Sequence, residues 1–505
     1  MSFTAIVNGG RAARHLKMDF SEPVRNLTSV SGRQFDVAII GGGIIGAGIA
    51  RDAALRGLSV CLVEQRDFGS GTTAGSTRLI HGGLRYLEML DFGLVRMDLR
   101  ERETLLRIAP HLVRPLEFLI PFYDRSLFHR AKMHAGMVLY DALSYDKSLP
   151  RYRTLGAAEV AQAEPSLKRK GLQGAVSYFD AQVDSPERLA VENIVDAVQH
   201  GATAFNYVRC EGALAGDGGL GGINVRDMET GETGEIRARV TVNASGPWFN
   251  RVAGRIEKSN ASRVRTTKGV HLACGPLTNR AVVLFSPVDG RLFFVMPLMD
   301  FGWISTTDTD FEDDPADAAA TREDVDYLVR STAEFVPEAG TTPVLWTNAG
   351  VRALVMQEGR ESDVSRSHRI DSSPGLVSVL GGKITGYRAI AEEAVDAVCK
   401  QLGSGAHCKT AEELLAGAKT ESSVDVAGMV KRAVDRELCF HLDDFMLRRT
   451  TFGFRADQGE RVVSAAAAAM AELLGWSRTV LDAEVGRYTA YLDRTRRFAS
   501  SGVWR

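Results

Sequence analysis

Cysteine is scarce: the 505 residues hold six (Cys61, Cys210, Cys274, Cys399, Cys408 and Cys439), with no CxxC pair and no regular framework. That scatter excludes a disulfide-stapled secreted scaffold and points to reduced thiols in a cytoplasmic compartment, with no disulfide and no metal site. Net charge is scarce as well. At −2 the chain lacks the basic footprint of a dedicated nucleic-acid binder, so any anionic partner has to be met by a local cluster of cations. No run reaches the roughly 18–20 apolar residues of a membrane span, and residues 1–34 lack the basic, apolar, small-residue order of a secretory signal. Those 34 residues read as a loose extension. A peripheral membrane contact stays open, because it leaves only a weak trace in sequence. No fixed-period repeat is visible.

What is present is ordinary globular material, 45% apolar and 25% charged, long enough for two or three domains. The first strong organisation is "FDVAII" followed by "GGGIIGAGIARDAALRGLSVCLVEQRD", which reads as strand, tight turn, helix, strand. Gly41, Gly43 and Gly46 fit GxGxxG: a sharp turn, a bare backbone beside a pyrophosphate, and a close approach of helix to strand. Ile49, Ala50, Ala53 and Ala54 supply the helix's packing face. Glu64, at the end of the second strand, is placed to accept hydrogen bonds from a ribose 2′-hydroxyl. This fingerprint serves NAD and FAD alike. Two later Gly-rich turns, "ARVTVNASGPW" and "GLVSVLGGKITGYRAIAEEAVDAV", favour a long dinucleotide whose redox ring is touched by segments far along the chain.

Between these anchors, Leu284 to Asp308 reads as an antiparallel meander on the substrate side. "VRDMETGETGEIRARV" reads as a surface hairpin and "ALAGDGGLGG" as a flexible connection. Beyond about Ser404 the pattern turns helical, with Leu481, Val485, Tyr488 and Leu492 on one face, and Arg494, Arg496 and Arg497 read as a solvated helix end. Arg125 to Arg153 mixes basic residues with Phe128, Met133, Met137, Leu139 and Tyr140. That suits an interfacial helix or a core helix with a basic outer face.

Taken together, "LIHGGLRYLE", "NASGPW", "KGVH", "STTD", "GVRAL", "VSRSH", "GGKITGYR" and "DDFMLRRT" resemble, in order, the motifs of the FAD-dependent glycerol-3-phosphate dehydrogenases. The resemblance implies an α/β fold: a glutathione-reductase-like FAD-binding domain with an inserted antiparallel-sheet substrate domain and a C-terminal helical domain. FAD-binding segments are expected at 35–115, 181–260 and 346–403, substrate-domain segments at 116–180 and 261–345, and the helical domain at 404–505. The implied reaction is oxidation of sn-glycerol 3-phosphate to dihydroxyacetone phosphate, with electrons passing through FAD to a membrane quinone at the inner face of a membrane. A homodimer is left open.

The same resemblance assigns residues. FAD contacts are expected from Gly41, Gly43, Ile45, Gly46 and Glu64; from Thr73, Ser76, Thr77 and Leu79; and from His81, Gly82 and Gly83. Later contacts are expected from Val208, Ala244, Gly246 and Trp248, and from Gly381, Gly382, Lys383, Ile384 and Thr385. Substrate contacts are expected from Arg85, Tyr86, Thr307, Asp308, Arg352, Arg366 and Lys383, because a phosphate dianion needs guanidinium and ammonium partners. His271 is the first candidate for the base that takes the C2 hydroxyl proton and His81 the second, with Arg352 and Lys383 stabilising developing charge. Ala353, Ser367 and Gly386 depart from the family pattern, where proline, aspartate and threonine are common. The alternatives are therefore a related dehydrogenase of another polyol phosphate, such as erythritol phosphate, or an amino-acid or amine oxidase.

Overall fold

The computed structural model describes residues 27–124, 126–216, 219–257, 263–356, 368–419 and 425–498. Two sheets organise it. The first has the strand order His368–Ser373, Leu376–Gly381, Thr233–Asn243, Gln34–Ile40, Val60–Val63, Thr203–Phe205, with Gly219–Asp227 paired to Thr233–Asn243 and Val208–Gly216 paired to Gly219–Asp227. Its centre is parallel: Gln34–Ile40 runs alongside both Val60–Val63 and Thr233–Asn243. Val37–Ile40 and Val60–Val63 are continuous apolar runs because both faces are covered, whereas Thr233–Asn243 is buried without interruption only over its last four residues. On one face the helix Ile44–Leu55 packs against Pro186–Gln199 and Tyr387–Leu402. Ala50, Ala53 and Ala54, on the expected packing face with Ile49, keep the helices close, and all four are buried.

The second sheet has ten strands among the described residues: eight lie in the order Thr309–Asp310, Val264–Cys274, Phe301–Ser305, Leu292–Leu298, Ala281–Phe285, Val113–Tyr123, Leu172–Val183, Leu79–Ile80, Arg153–Gly156 pairs with Leu172–Val183, and the tenth pairs with Val264–Cys274. The expected meander is the run Ala281–Phe285, Leu292–Leu298, Phe301–Ser305, antiparallel throughout. Val344–Val355 adds to Val264–Cys274 along nearly its whole length. That strand straddles the expected boundary at 345, so Arg352 reaches its place from the second sheet. C-terminal helices Val426–Arg436, Val463–Leu474 and Arg478–Arg496 close over this sheet, and Leu481, Val485, Tyr488 and Leu492 pack into one cluster with Trp303 and Trp346.

Three expectations change. Residues 27–34 are not loose: Leu27–Val30 forms a 3₁₀ turn whose Leu27 and Val30 bury against the first sheet, and Gln34 already belongs to a strand. Residues 1–26 lie outside the described residues. Of "ALAGDGGLGG", residues 217–218 lie outside the described residues, and the rest is not a flexible connection: Val208–Gly216 and Gly219–Asp227 pair antiparallel. A Cβ on Gly216 would sit 2.7 Å from the Gly221 Cα, so glycine here serves close approach rather than freedom. At the last helix, Arg494 donates to the Ala316 carbonyl at 3.1 Å and Arg496 to Gln458 at 2.7 Å and Glu460 at 2.6 Å. Arg494 and Arg496 are half-buried and Arg497 is exposed. In the helix Leu127–Leu143, Met137 and Tyr140 are buried, while Leu127 and Phe128 are exposed.

Candidate functional site

A cavity runs along the carboxyl ends of the first sheet and ends against the second. Its floor is the βα turn. Gly41 has φ of +108°, and a Cβ there would lie 2.6 Å from the Ala244 carbonyl oxygen, so only glycine fits. Gly46 is not on the wall. A Cβ on it would overlap the Gly41 carbonyl oxygen, so its absence lets the helix start against the strand. Gly43 and Ile45 line the cavity, as does Glu64, whose carboxylate accepts from the Gly42 amide at 2.7 Å and the Arg66 amide at 2.9 Å. Burial pushes the Glu64 carboxyl above its usual range, and the two amides pull it back.

The loop after Glu64 contributes Thr73, Ser76, Thr77 and Leu79 as expected, and also Ser70, Gly71, Thr72 and Gly75. These last four lay unassigned, although the run "GSGTTAGST" of small and hydroxyl residues is a legible sign of backbone held near a ligand. Gly75 and Gly350 cross with no room for a Cβ on either, which docks the loop on the strand Val344–Val355. Thr72 donates to the Val351 carbonyl and Asn348 to that of Ala74 at 2.8 Å. Ala244, Gly246 and Trp248 form the opposite wall, joined by Ser245 and Pro247, and Gly381, Gly382, Lys383, Ile384 and Thr385 close one end. Val208 is not on the wall; its amide bonds the Glu64 carbonyl at 2.8 Å, so it braces the strand that carries Glu64.

The strip Leu79–Tyr86 is divided. Leu79, His81 and Tyr86 line the cavity, whereas Gly82 packs away from it and Gly83 stands behind the lining Tyr86 ring. A Cβ on Gly82 would meet Leu99 and the Tyr140 hydroxyl at 2.5 Å; Tyr140 in turn accepts from the Gly82 amide and donates to Asp180 at 2.8 Å. Gly82 thus presses the strip onto the buried Tyr140–Asp180 pair, next to His81 at the wall. The side chain of Arg85 and the whole of Arg366 lie outside the described residues.

Both expected cations on the wall carry carboxylate partners. Arg352 bonds Asp308 at 3.1 Å, the Thr306 hydroxyl at 2.9 Å and the Thr307 carbonyl at 3.2 Å. Asp308 and Thr307 are therefore behind Arg352 rather than on the wall. Lys383 bonds Asp98 and stands 4.2 Å from the centre of the Tyr86 ring. His271 is fully buried and does not reach the cavity. It stacks on Trp303, ring centres 5.2 Å apart, and its Nε2 meets the Thr77 hydroxyl at 3.1 Å. Burial, then the charges of Arg352 and Arg78, push His271 down to about 3, so it is neutral at pH 7.

Residues 36–396 match the family model of FAD-dependent oxidoreductases, and residues 390–480 that of the C-terminal domain of alpha-glycerophosphate oxidase. A glycerol-3-phosphate dehydrogenase of Synechocystis sp. is 33% identical over 93% of this chain and 98% of its own length. The chain belongs to the FAD-dependent glycerol-3-phosphate dehydrogenase family. An aerobic member from Staphylococcus epidermidis is 35% identical over 84% of this chain and 79% of its own. The member from Bacillus halodurans, solved with FAD, superposes with a TM-score of 0.77 at 27% identity, covering 93% of this chain and 96% of that one. FAD is the cofactor, and the residues fit it. Gly41 and Gly46 keep side chains out of the turn, Glu64 stands on the wall at the end of its strand, and the Ser76 hydroxyl on the same wall is buried without a protein partner. The late turns at 244–248 and 381–385 line the same cavity as the first turn.

Proposed function

We propose that the protein oxidises sn-glycerol 3-phosphate at C2 to dihydroxyacetone phosphate and passes the electrons to a membrane quinone. Bound FAD supplies the two-electron acceptor. The observation that carries the reading is the convergence of Arg352, Lys383, Tyr86, His81 and Thr77 on one cavity. Arg352 and Lys383 hold the phosphate as charge-assisted donors. His81 accepts the Gly83 amide at Nδ1, 3.1 Å away, so its neutral form carries a proton on Nε2 and donates to the substrate oxygen.

The C2 hydroxyl proton leaves through the Thr77 hydroxyl to Nε2 of His271. That histidine is a poor proton acceptor at about 3. A phosphate seated on Arg352 offsets one of the charges that depress it and so raises it as substrate binds. The wall thereby links binding to deprotonation. Transfer of electrons to a quinone is supported by the exposed Leu127 and Phe128 beside the exposed Lys132, an apolar and basic helix start suited to a membrane surface. No helix among the described residues is long and apolar enough to cross a membrane.

Anaerobic addition of sn-glycerol 3-phosphate to the yellow protein should bleach its flavin absorbance. Ala353 lines the cavity where the family commonly carries proline, which favours a roomier polyol end and makes erythritol phosphate the comparison substrate. Faster bleaching by erythritol phosphate at equal concentration would replace the substrate, and bleaching by neither would remove the reading.

Gly269 provides a separate check. Its backbone does not require glycine, yet a Cβ there would come within 2.5 Å of the Arg352 Cζ and closer still to Nη2. The clash is with a mobile side-chain end, so Gly269→Ala should leave the melting temperature nearly unchanged while displacing the guanidinium. We expect KM to rise about 10- to 100-fold. In an Arg352→Ala background the same change should have no further effect; a further loss there would show that Gly269 acts through the fold instead.

A further inference from the structure

Asp98 is fully buried on the helix Phe92–Ile108, 285 residues from Lys383 in sequence, and meets its ammonium directly. One carboxylate oxygen takes the ammonium and the other, Oδ1, has no hydrogen-bond partner. Two glycines border the pair: a Cβ on Gly83 would stand 3.6 Å from Lys383 Nζ and one on Gly386 3.5 Å from Asp98 Oδ1, both ordinary contact distances. The Lys383 side chain keeps 14% of its exposure, on the cavity side, whereas that of Asp98 keeps none.

We propose that Asp98 is a positioning residue: its carboxylate holds the Lys383 ammonium at the cavity wall, and its protonation frees that charge for a phosphate group. This rests on the reading of the cavity as a polyol-phosphate site. A buried half-satisfied carboxylate is poised for such a role because its charged form has one strong partner and little else. Its other charged neighbours are already engaged. Asp180, on the strand Leu172–Val183, pairs with Arg102 of the Asp98 helix and accepts from Tyr140 of the helix Leu127–Leu143. Glu101, one turn along, pairs with Arg388 of the helix Tyr387–Leu402. Tyr86 offers only its ring face, to Lys383. Burial pushes the Asp98 carboxyl up to about 7, with Asp180 and Glu101 adding to it, against the pull of Lys383. Below that pH Asp98 is neutral and Lys383 carries an uncompensated charge; above it the pair is closed.

The test uses FAD-loaded protein and sulfate, which stays a dianion throughout the neutral range, with binding measured by calorimetry on both sides of pH 7. In the wild type, sulfate should bind about tenfold more tightly below pH 7 than above it. Asp98→Asn should bind tightly on both sides. An unchanged pH dependence in Asp98→Asn overturns the proposal. Infrared difference spectra between the two pH values report on Asp98 without any ligand. A protonated buried-carboxyl band should appear at the lower pH in the wild type and be missing from Asp98→Asn; its absence from the wild type also overturns the proposal. If that band is present but sulfate binds at neither pH, the phosphate reading of the cavity fails, and with it the release of charge to a ligand.

Discussion

Gly46→Ala is expected to give a protein that does not retain FAD. The added methyl would collide with the Gly41 carbonyl oxygen and stand 3.0 Å from its carbon, and neither belongs to a side chain that can swing away. Relief requires the helix Ile44–Leu55 to slide off the strand Gln34–Ile40, which moves the turn that faces a pyrophosphate. Overpacking of this kind costs about 3 kcal/mol, equivalent to roughly 100-fold in flavin affinity. Fluorescence titration of the apoprotein with FAD measures it. An unchanged dissociation constant would mean that the contact between helix and strand does not shape the cofactor site.

Asp67→Asn is expected to destabilise the whole protein by about 3–5 kcal/mol, because removing one member of a buried ion network leaves the others uncompensated. Asp67 is buried directly after Glu64 and its neighbours, and accepts from Arg448, from Arg449 at 2.6 and 2.8 Å, and from Asn206 at 2.8 Å. Both arginines come from "DDFMLRRT", on a π-helical turn, Phe445–Arg449, where Arg448 also pairs with Asp444 at 2.7 Å. The C-terminal domain is therefore clamped to the loop that leaves the cofactor strand.

Burial alone would raise the Asp67 carboxyl, but the two guanidinia outweigh it and hold the group well below its usual range. The sign follows. A depressed carboxylate contributes stability that is present above its ordinary value of 3.8 and is lost as pH falls toward its folded-state value. Urea midpoints of the wild type should drop on acidification below about pH 4, and Asp67→Asn should lack that component. A loss under about 1 kcal/mol at neutral pH would contradict a network worth the figure expected.

The cofactor half of the site was legible because its signals are local. Gly41, Gly46 and Glu64 lie within 24 residues of one another, and each excludes a side chain or supplies one at a position the turn dictates. Tyr86, His81, Arg352 and Lys383 were legible from motif identity, and the structure brings all four to one wall. In the run Ser70–Gly75 the motifs point to Thr73 alone, although the small and hydroxyl residues around it line the cavity as well. His271 could not have been placed from "KGVH", since its burial depends on Trp303, which lies on the neighbouring antiparallel strand.

By itself the chain's order of residues determined the cofactor-binding turn, the two sheets' broad character and the family, because glycine spacing and apolar periodicity act on neighbours a few residues apart. Tertiary structure alone decided which charges are paired with which. Asp98 meets Lys383 and Asp67 meets Arg449 across hundreds of intervening residues, and Coulomb attraction depends on distance in space, which no local pattern records.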